Sequence, residues 1–241
     1  MIRTLFAVVW TAVCCAAGLA VLAVRRGSGP WVLTRIGDRM WSRVLLRVVG
    51  GGQPQVTFDA ELPPSAIFVG NHASLLDINA AFAALPRPIV FLSKSGVRKV
   101  PLLGAINARV GTVFVERGNP ESAREAVNQL AANARSGVSV VVYPEGTRSD
   151  DGEVRAFRKG AFHLAAVSGL PVVPFFVEGT RDLLPKGALA FRRTPGIRVV
   201  VGAPLEAPES DAPEAIERVR QAAEDAVRRL GQRAAVQGAR A

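Results

Sequence analysis

Apolar residues in this chain fall into three kinds of run, and each kind predicts a different sort of element. The first is residues 4–24, TLFAVVWTAVCCAAGLAVLAV, which carry no charge. At 1.5 Å rise per residue, about 20 such residues span the hydrocarbon of a bilayer. A cleaved leader is the competing reading. Its apolar region would be long, however, and Arg25 and Arg26 follow where cleavage favours small neutral residues. The run is therefore read as an uncleaved membrane anchor, with the two arginines holding the following domain on the cytoplasmic face.

The second kind is a double register over residues 31–49. Val32, Ile36, Met40, Val44 and Val48 recur every fourth position, and Arg35, Arg39, Arg43 and Arg47 recur one position earlier. On a helix these rows lie about 100° apart, an apolar stripe beside a basic one. With Trp31 and Trp41 added, the segment suits the interface of a membrane. It equally suits a helix whose apolar row packs on a domain while its arginines are solvated.

The third kind begins at residue 65, where short Val/Ile/Phe-rich runs alternate with helix-like segments. The candidate strands are SAIFVG, PIVFLS, TVFVER, VSVVVYPEG, PVVPFFVEG and IRVVVGAP. Most lack polar alternation, as strands covered on both faces do. Between them, Asn119 as cap, Pro120 at the first helical position and Glu121 mark a helix start. Near the end, Ile216, Val219, Ala223, Val227 and Leu230 form one face of another helix.

This alternation predicts an α/β fold: a mainly parallel or mixed sheet flanked by helices, over residues 51–230. An anchoring and interfacial segment over residues 1–50 precedes it, and residues 231–241 are expected to be a disordered tail.

Charge adds a location. The chain has 241 residues and a formal net charge of +10, and its first 50 residues hold seven arginines against one acid, Asp38. Zinc-ligand spacing and arginine-rich tracts are absent and there is one tyrosine, so a nucleic-acid partner is not expected. An anionic membrane surface attracts the same arginines. Both cysteines, Cys14 and Cys15, lie inside the apolar run, so neither a structural bridge nor redox chemistry is expected of the domain.

In parallel α/β sheets, ligands bind at the carboxyl ends of strands. The first candidate strand exits into Asn71, His72 and, five residues on, Asp77. The next three exit into Lys94, into Glu116 and Arg117, and into YPEGTRS at residues 143–149. A carboxylate that orients a histidine fixes its tautomer and stabilises the imidazolium, as general-base catalysis needs. The spacing of five suits this only if His72 lies in a loop and Asp77 in the first turn of the helix. A helix-capping histidine beside a solvated aspartate has the same sequence. Arg117 and Arg148 offer planar forks suited to phosphate, and Lys94 a movable charge.

Rival chemistries lack their residues. There is no G-x-S-x-G elbow, no cysteine outside residues 4–24, and neither a Walker nor a dinucleotide glycine pattern. Ser74 lies on no nucleophile turn, and His72 and His163 are too few for a metal site, so no metal or cofactor is expected. His163, in FRKGAFHLAA, reads as a helix residue with a packing role.

The segment NHASLLD resembles the H-x4-D block of the glycerolipid acyltransferases, the family that includes the 1-acylglycerol-3-phosphate acyltransferases. GTVFVERG, YPEGTRS and LPVVPFFV are similar to its second, third and fourth blocks in order, and FRKGAF also fits. The resemblance covers roughly residues 65–180. It implies transfer of a fatty acyl group from acyl-CoA or acyl-carrier protein to the hydroxyl of lysophosphatidic acid. His72 would be the base and Asp77 its orienter. Arg117 and Arg148 would hold the acceptor phosphate, with Glu145, Gly146 and Thr147 shaping the adjacent turn. Lys94 fits less closely, because SKSGV stands where the family often has a basic residue followed by an acid and leucine. Glycerol 3-phosphate, another lysophospholipid or a lyso-aminolipid are alternative acceptors, and a non-catalytic membrane-binding protein is the alternative outside enzymology.

Overall fold

The computed structural model describes residues 1–116 and 120–238. Helix α1 (Ile2–Val24) leads to a short α-turn, α2 (Gly29–Trp31), a π-helix (Val32–Ser42) and α3 (Arg43–Val49). The domain then runs β1 (Gln55–Phe58), β2 (Ile67–Gly70), α4 (Asp77–Ala84), β3 (Ile89–Lys94), a 3-10 turn (Ser95–Lys99) and α5 (Leu103–Val110). It continues through β4 (Val113–Val115), α6 (Pro120–Arg135), β5 (Ser139–Val142), α7 (Gly160–Ser168), β6 (Val172–Glu178), α8 (Thr180–Leu183), β7 (Arg198–Val201) and α9 (Pro213–Gly238).

The seven strands form one mixed sheet in the order β1-β7-β6-β2-β5-β3-β4. The five from β6 to β4 are parallel, with Ile67 aligned to Val140 on one side and Val172 on the other. β7 runs antiparallel to β6, and β1 parallel to β7. The apolar runs without alternation are those covered on both faces: every residue of β2 and of β5 is buried. Helices α6, α7 and α9 pack on one face, while α4, the π-helix and α3 pack on the other, with α1 stacked outside them.

The chain leaves β2 through α4 on one face and the adjacent β5 through α7 on the other. Their carboxyl ends therefore diverge at a topological switch point, the place where such sheets hold ligands.

All six predicted strands are present. β1 is additional: it is a half-polar edge strand with Phe58 exposed, and it carries too little apolar residue to announce itself. The predicted tail is corrected in part. Residues 231–238 continue α9, with Ala234 fully buried, extending the row that includes Val227 and Leu230, and Arg233 forking onto Asp59 at 2.7 and 2.9 Å. Asn119, the expected cap of α6, lies outside the described residues.

The double register is also corrected. Val32 and Ile36 are buried, but Met40 and Val48 are exposed. In a π-helix the bond runs to the fifth residue, and here the inward row steps from Ile36 to Trp41 and on to Leu45 and Val49. Trp41 meets Phe82 edge-on at 5.8 Å. Arg35, Arg39 and Arg47 stay exposed, whereas Arg43 turns in to bond Asp38 at 2.7 Å and the Ala83 carbonyl at 2.7 Å.

Candidate active site

At the end of β2, a Cβ on Gly70 would meet the Phe175 ring at 2.6 Å, so only glycine allows the strand to pass β6 here. Asn71 follows and binds β6 through its side chain. Its Nδ2 donates to the Val177 carbonyl at 2.9 Å and its Oδ1 accepts from the Val177 amide at 2.8 Å. The side-chain amide thus extends the ladder by one rung, and the main chain is released to turn at His72.

His72 lies in that loop and Asp77 is the first residue of α4, the arrangement that a spacing of five requires. The His72 Nδ1 is 2.8 Å from Asp77 Oδ2. A carboxylate only accepts, so Nδ1 carries the proton and Nε2 is left as the basic nitrogen. The same Oδ2 accepts from the amides of Ala73 at 2.8 Å and Ser74 at 2.9 Å, and Oδ1 accepts from the Thr180 hydroxyl at 2.5 Å. Asp77 is fully buried, and these four donors, with the amino end of α4, offset the cost of holding a charge away from water.

The β5 exit closes over the same loop. Glu145 is buried, and its Oε1 accepts from the His72 amide at 2.8 Å while Oε2 takes a longer bond from the Arg155 amide. Burial pushes its carboxyl up to about 7, with the two amide bonds pulling the other way. Gly146 sits at φ +73° with its amide on the Tyr143 carbonyl at 3.0 Å, a left-handed turn that favours glycine. The Ser149 amide donates to the His72 carbonyl at 2.7 Å. The loop of β2 and the turn after β5 are thus bonded at both ends of His72.

Of the residues read from the sequence, His72, Asp77 and Glu145 are joined directly by these bonds, and Gly146 turns the chain next to Glu145. Thr147 is exposed on the same turn, and Arg148 is half-buried there with no hydrogen-bond partner among the described residues. Lys94 is exposed at the end of β3, one strand beyond β5, and no bond ties it to the His72 cluster. Arg117 lies outside the described residues. His163 is exposed on α7, which corrects the packing role expected of it. Ser74 is fully buried, its hydroxyl donating to the Leu184 carbonyl at 2.7 Å and accepting from the Leu76 amide, so it is a structural residue and not a nucleophile.

Thr180 and Tyr143 touch the pair directly, although the pattern of strand exits does not single them out. Thr180 had a signal, since it follows Gly179 at the exit of β6, the strand beside β2. Tyr143 stacks on the His72 ring at 4.2 Å, with planes 11° apart, a relation that spacing does not carry. Among the described residues no group of three histidine, cysteine or carboxylate side chains is set to hold a metal ion.

A fixed histidine whose Nε2 has no partner among the described residues, on a loop bonded to the turn that carries Arg148, is equipped to take a proton from a hydroxyl on an anionic substrate. The acyltransferase family model matches residues 53–181. The chain is 34% identical over 146 residues to a chloroplast 1-acyl-sn-glycerol-3-phosphate acyltransferase of Arabidopsis thaliana, covering 61% of this chain and 41% of that one. It is 35% identical over 130 residues to the 1-acyl-sn-glycerol-3-phosphate acyltransferase of Saccharomyces cerevisiae, covering 53% of this chain and 43% of that one. It therefore spans well under two thirds of the length of these relatives. The crystal structure of the 1-acyl-sn-glycerophosphate acyltransferase PlsC from Thermotoga maritima superposes with a TM-score of 0.74 at 26% identity, covering 95% of this chain and 92% of that one. With a family model matched over more than half its length, this chain belongs to the acyltransferase family.

Proposed function

We propose that this protein transfers a fatty acyl group from an acyl-CoA or acyl-carrier-protein thioester to the free hydroxyl of lysophosphatidic acid, forming phosphatidic acid for phospholipid synthesis. The observation that carries this reading is the Asp77 carboxylate, buried, bonded four times, and bound to His72 at Nδ1.

The acceptor hydroxyl attacks the thioester carbonyl carbon as His72 Nε2 takes its proton. The tetrahedral oxyanion collapses, the C–S bond breaks, and the leaving thiolate takes the proton back from the imidazolium. Asp77 stabilises that imidazolium without accepting the proton. Arg148, with no hydrogen-bond partner among the described residues and on the turn bonded to the His72 loop, holds the acceptor phosphate, and Lys94 at the end of β3 adds to the cationic rim, with Arg117 assigned to the same phosphate by the family resemblance alone. Positioning of the hydroxyl by this rim supplies a large part of the rate. No cofactor enters the reaction.

The reaction takes place at a membrane. α1 is long and apolar enough to cross one, yet it packs along the domain. Cys14, Cys15 and Gly18 face inward, and Leu5, Val9 and Val13 form an exposed stripe on the opposite side. Near its start Arg3 bonds the Val49 carbonyl and Thr4 the Leu189 carbonyl, and in its middle Thr11 accepts from the Trp41 indole at 2.9 Å. The stripe enters the apolar layer of the leaflet that supplies the acceptor, and Arg25 and Arg26 meet its headgroups on the cytoplasmic side.

The test is acyl transfer from labelled acyl-CoA to lysophosphatidic acid in detergent, comparing wild type with His72→Ala. Loss of activity with the histidine is expected. Equal activity of the two proteins sinks the mechanism, and activity on a lyso-aminolipid but not on lysophosphatidic acid sinks the assigned acceptor.

A further inference from the structure

The chain has one tyrosine and two histidines, and the fold lays that tyrosine against the histidine of the candidate active site. Tyr143 is held in turn by Phe91 at 6.1 Å and Phe175 at 6.1 Å, so it forms the outermost plate of an aromatic stack rooted in the core. The residue as a whole is half-buried. Its hydroxyl is buried and has no hydrogen-bond partner among the described residues. The contact that Tyr143 makes with His72 is through the face of its ring.

His72 is tied at the ring by one bond, from Nδ1 to Asp77. With the Cβ–Cγ bond, that hydrogen bond sets the plane of the ring to within the rocking that a bent or stretched hydrogen bond allows. A flat partner on its face removes that freedom. The charged and titratable groups around the imidazole are Asp77 at its Nδ1, Glu145 at its main-chain amide, and Arg148 on the turn whose next residue, Ser149, bonds its carbonyl. None of these bonds lies against the face of the ring, which Tyr143 covers.

We propose that Tyr143 is a positioning residue for His72: its ring holds the imidazole in the plane that aims Nε2 at the acceptor hydroxyl, and presents a π face to the imidazolium once the proton is taken. This rests on His72 being the base. The hydroxyl has no part in it, so phenylalanine serves as well as tyrosine. An aliphatic side chain of similar bulk fills the space but offers no plate.

The experiment uses the full chain in detergent as wild type, Tyr143→Phe, Tyr143→Leu and His72→Ala, with kcat and KM measured for acyl-CoA and lysophosphatidic acid. Tyr143→Phe is expected to stay within about twofold of wild type. Tyr143→Leu is expected to lose about 10- to 100-fold in kcat, the scale of a small misplacement of a reacting group, with neither KM changed beyond about threefold. In parallel, carbon-bound protons of histidine are observed by NMR, with His163→Gln identifying the two rings. The His72 protons are expected upfield of those of exposed His163 in wild type and Tyr143→Phe, and back beside them in Tyr143→Leu. Should Tyr143→Leu not fold, Tyr143→Met replaces it.

Several results overturn the inference: wild-type kcat in the aliphatic variant, a raised KM at unchanged kcat, equal loss in Tyr143→Phe, or His72 protons without an upfield shift in wild type. An active His72→Ala protein removes the base and this inference together. An inactive His72→Ala protein beside a fully active Tyr143→Leu protein removes this inference alone.

Discussion

The Thr180 hydroxyl donates to Asp77 Oδ1 at 2.5 Å, joining the end of β6 to the first residue of α4 across 103 positions of sequence. It is the only side-chain hydroxyl among the four donors on that carboxylate, two of the others being main-chain amides and one the His72 ring. Thr180→Val keeps the shape and removes the donor. A hydrogen bond to a charged group is worth about 1.5–3 kcal/mol, so kcat/KM is expected to fall by about tenfold or more, with a lowered Tm. Unchanged kinetics in the purified variant would show that Asp77 is held well enough without it.

Asp77→Asn tests the carboxylate itself. The amide can still accept from the Ala73 and Ser74 amides, but its nitrogen offers no acceptor, and the variant no longer stabilises an imidazolium. By analogy with other histidine–carboxylate pairs, a kcat loss of about 10³- to 10⁴-fold is expected, with the KM for acyl-CoA little changed. A loss confined to KM would instead make Asp77 a binding residue.

Much of this site was legible because strand exits are legible. Buried parallel strands announce themselves as unbroken Val/Ile/Phe runs, so the residues after SAIFVG and VSVVVYPEG could be placed at one edge of a sheet before their contacts were known. What spacing cannot carry is orientation across the fold. Thr180 and Tyr143 reach Asp77 and His72 from other strands, and only the strand order β6-β2-β5 brings them together. The arginine-striped helix misled for a local reason: a row every fourth residue presumes ordinary winding, and the π-helix from Val32 to Ser42 moves Met40 outward and brings Trp41 in.

Glu145 gives a pH prediction. Its carboxyl is raised to about 7 by burial, from an ordinary value of 4.5. Between these values the folded protein holds a proton that the unfolded chain has released, so this group's contribution to stability is present below about 4.5 and is lost as pH rises towards 7. Glu145→Gln removes the titration and keeps an oxygen for the His72 amide. The Tm of wild type minus that of Glu145→Gln is expected to decrease steadily from pH 4.5 to 7.5. A difference independent of pH would mean that the carboxylate is charged throughout.

Arg148 has no hydrogen-bond partner among the described residues, and its neighbours on the turn are bonded to the His72 loop. Its replacement should therefore cost little stability and act on substrate. With Arg148→Ala the KM for lysophosphatidic acid is expected to rise about tenfold or more, the worth of a charge-assisted bond. Preference for phosphate-bearing over phosphate-free acceptors should fall in step. A protein that keeps its preference has its phosphate held by other cations, such as Lys94.

The packing of α1 makes a prediction about topology. A helix that crosses a bilayer puts its two ends on opposite sides, whereas α1 is fastened to the domain near its start by Arg3 and Thr4 and further along by Gly18, where an added Cβ would come within 2.9 Å of Ile106. At 1.5 Å per residue the helix is about 34 Å long, so it cannot span the hydrocarbon while keeping those contacts unless the domain enters with it. Ile2 and Val24 are both exposed at its ends. With Cys14 and Cys15 replaced by alanine, single cysteines at positions 2 and 24 are expected to react at similar rates with a membrane-impermeant maleimide applied to the face that carries the domain. If the position 2 cysteine reacts only after the membrane is opened, α1 spans the bilayer and must leave its groove to do so. In that case Gly18→Leu, which wedges α1 away from α5, would be harmless; with α1 docked, the same change should release the helix and lower activity on acceptor presented in vesicles.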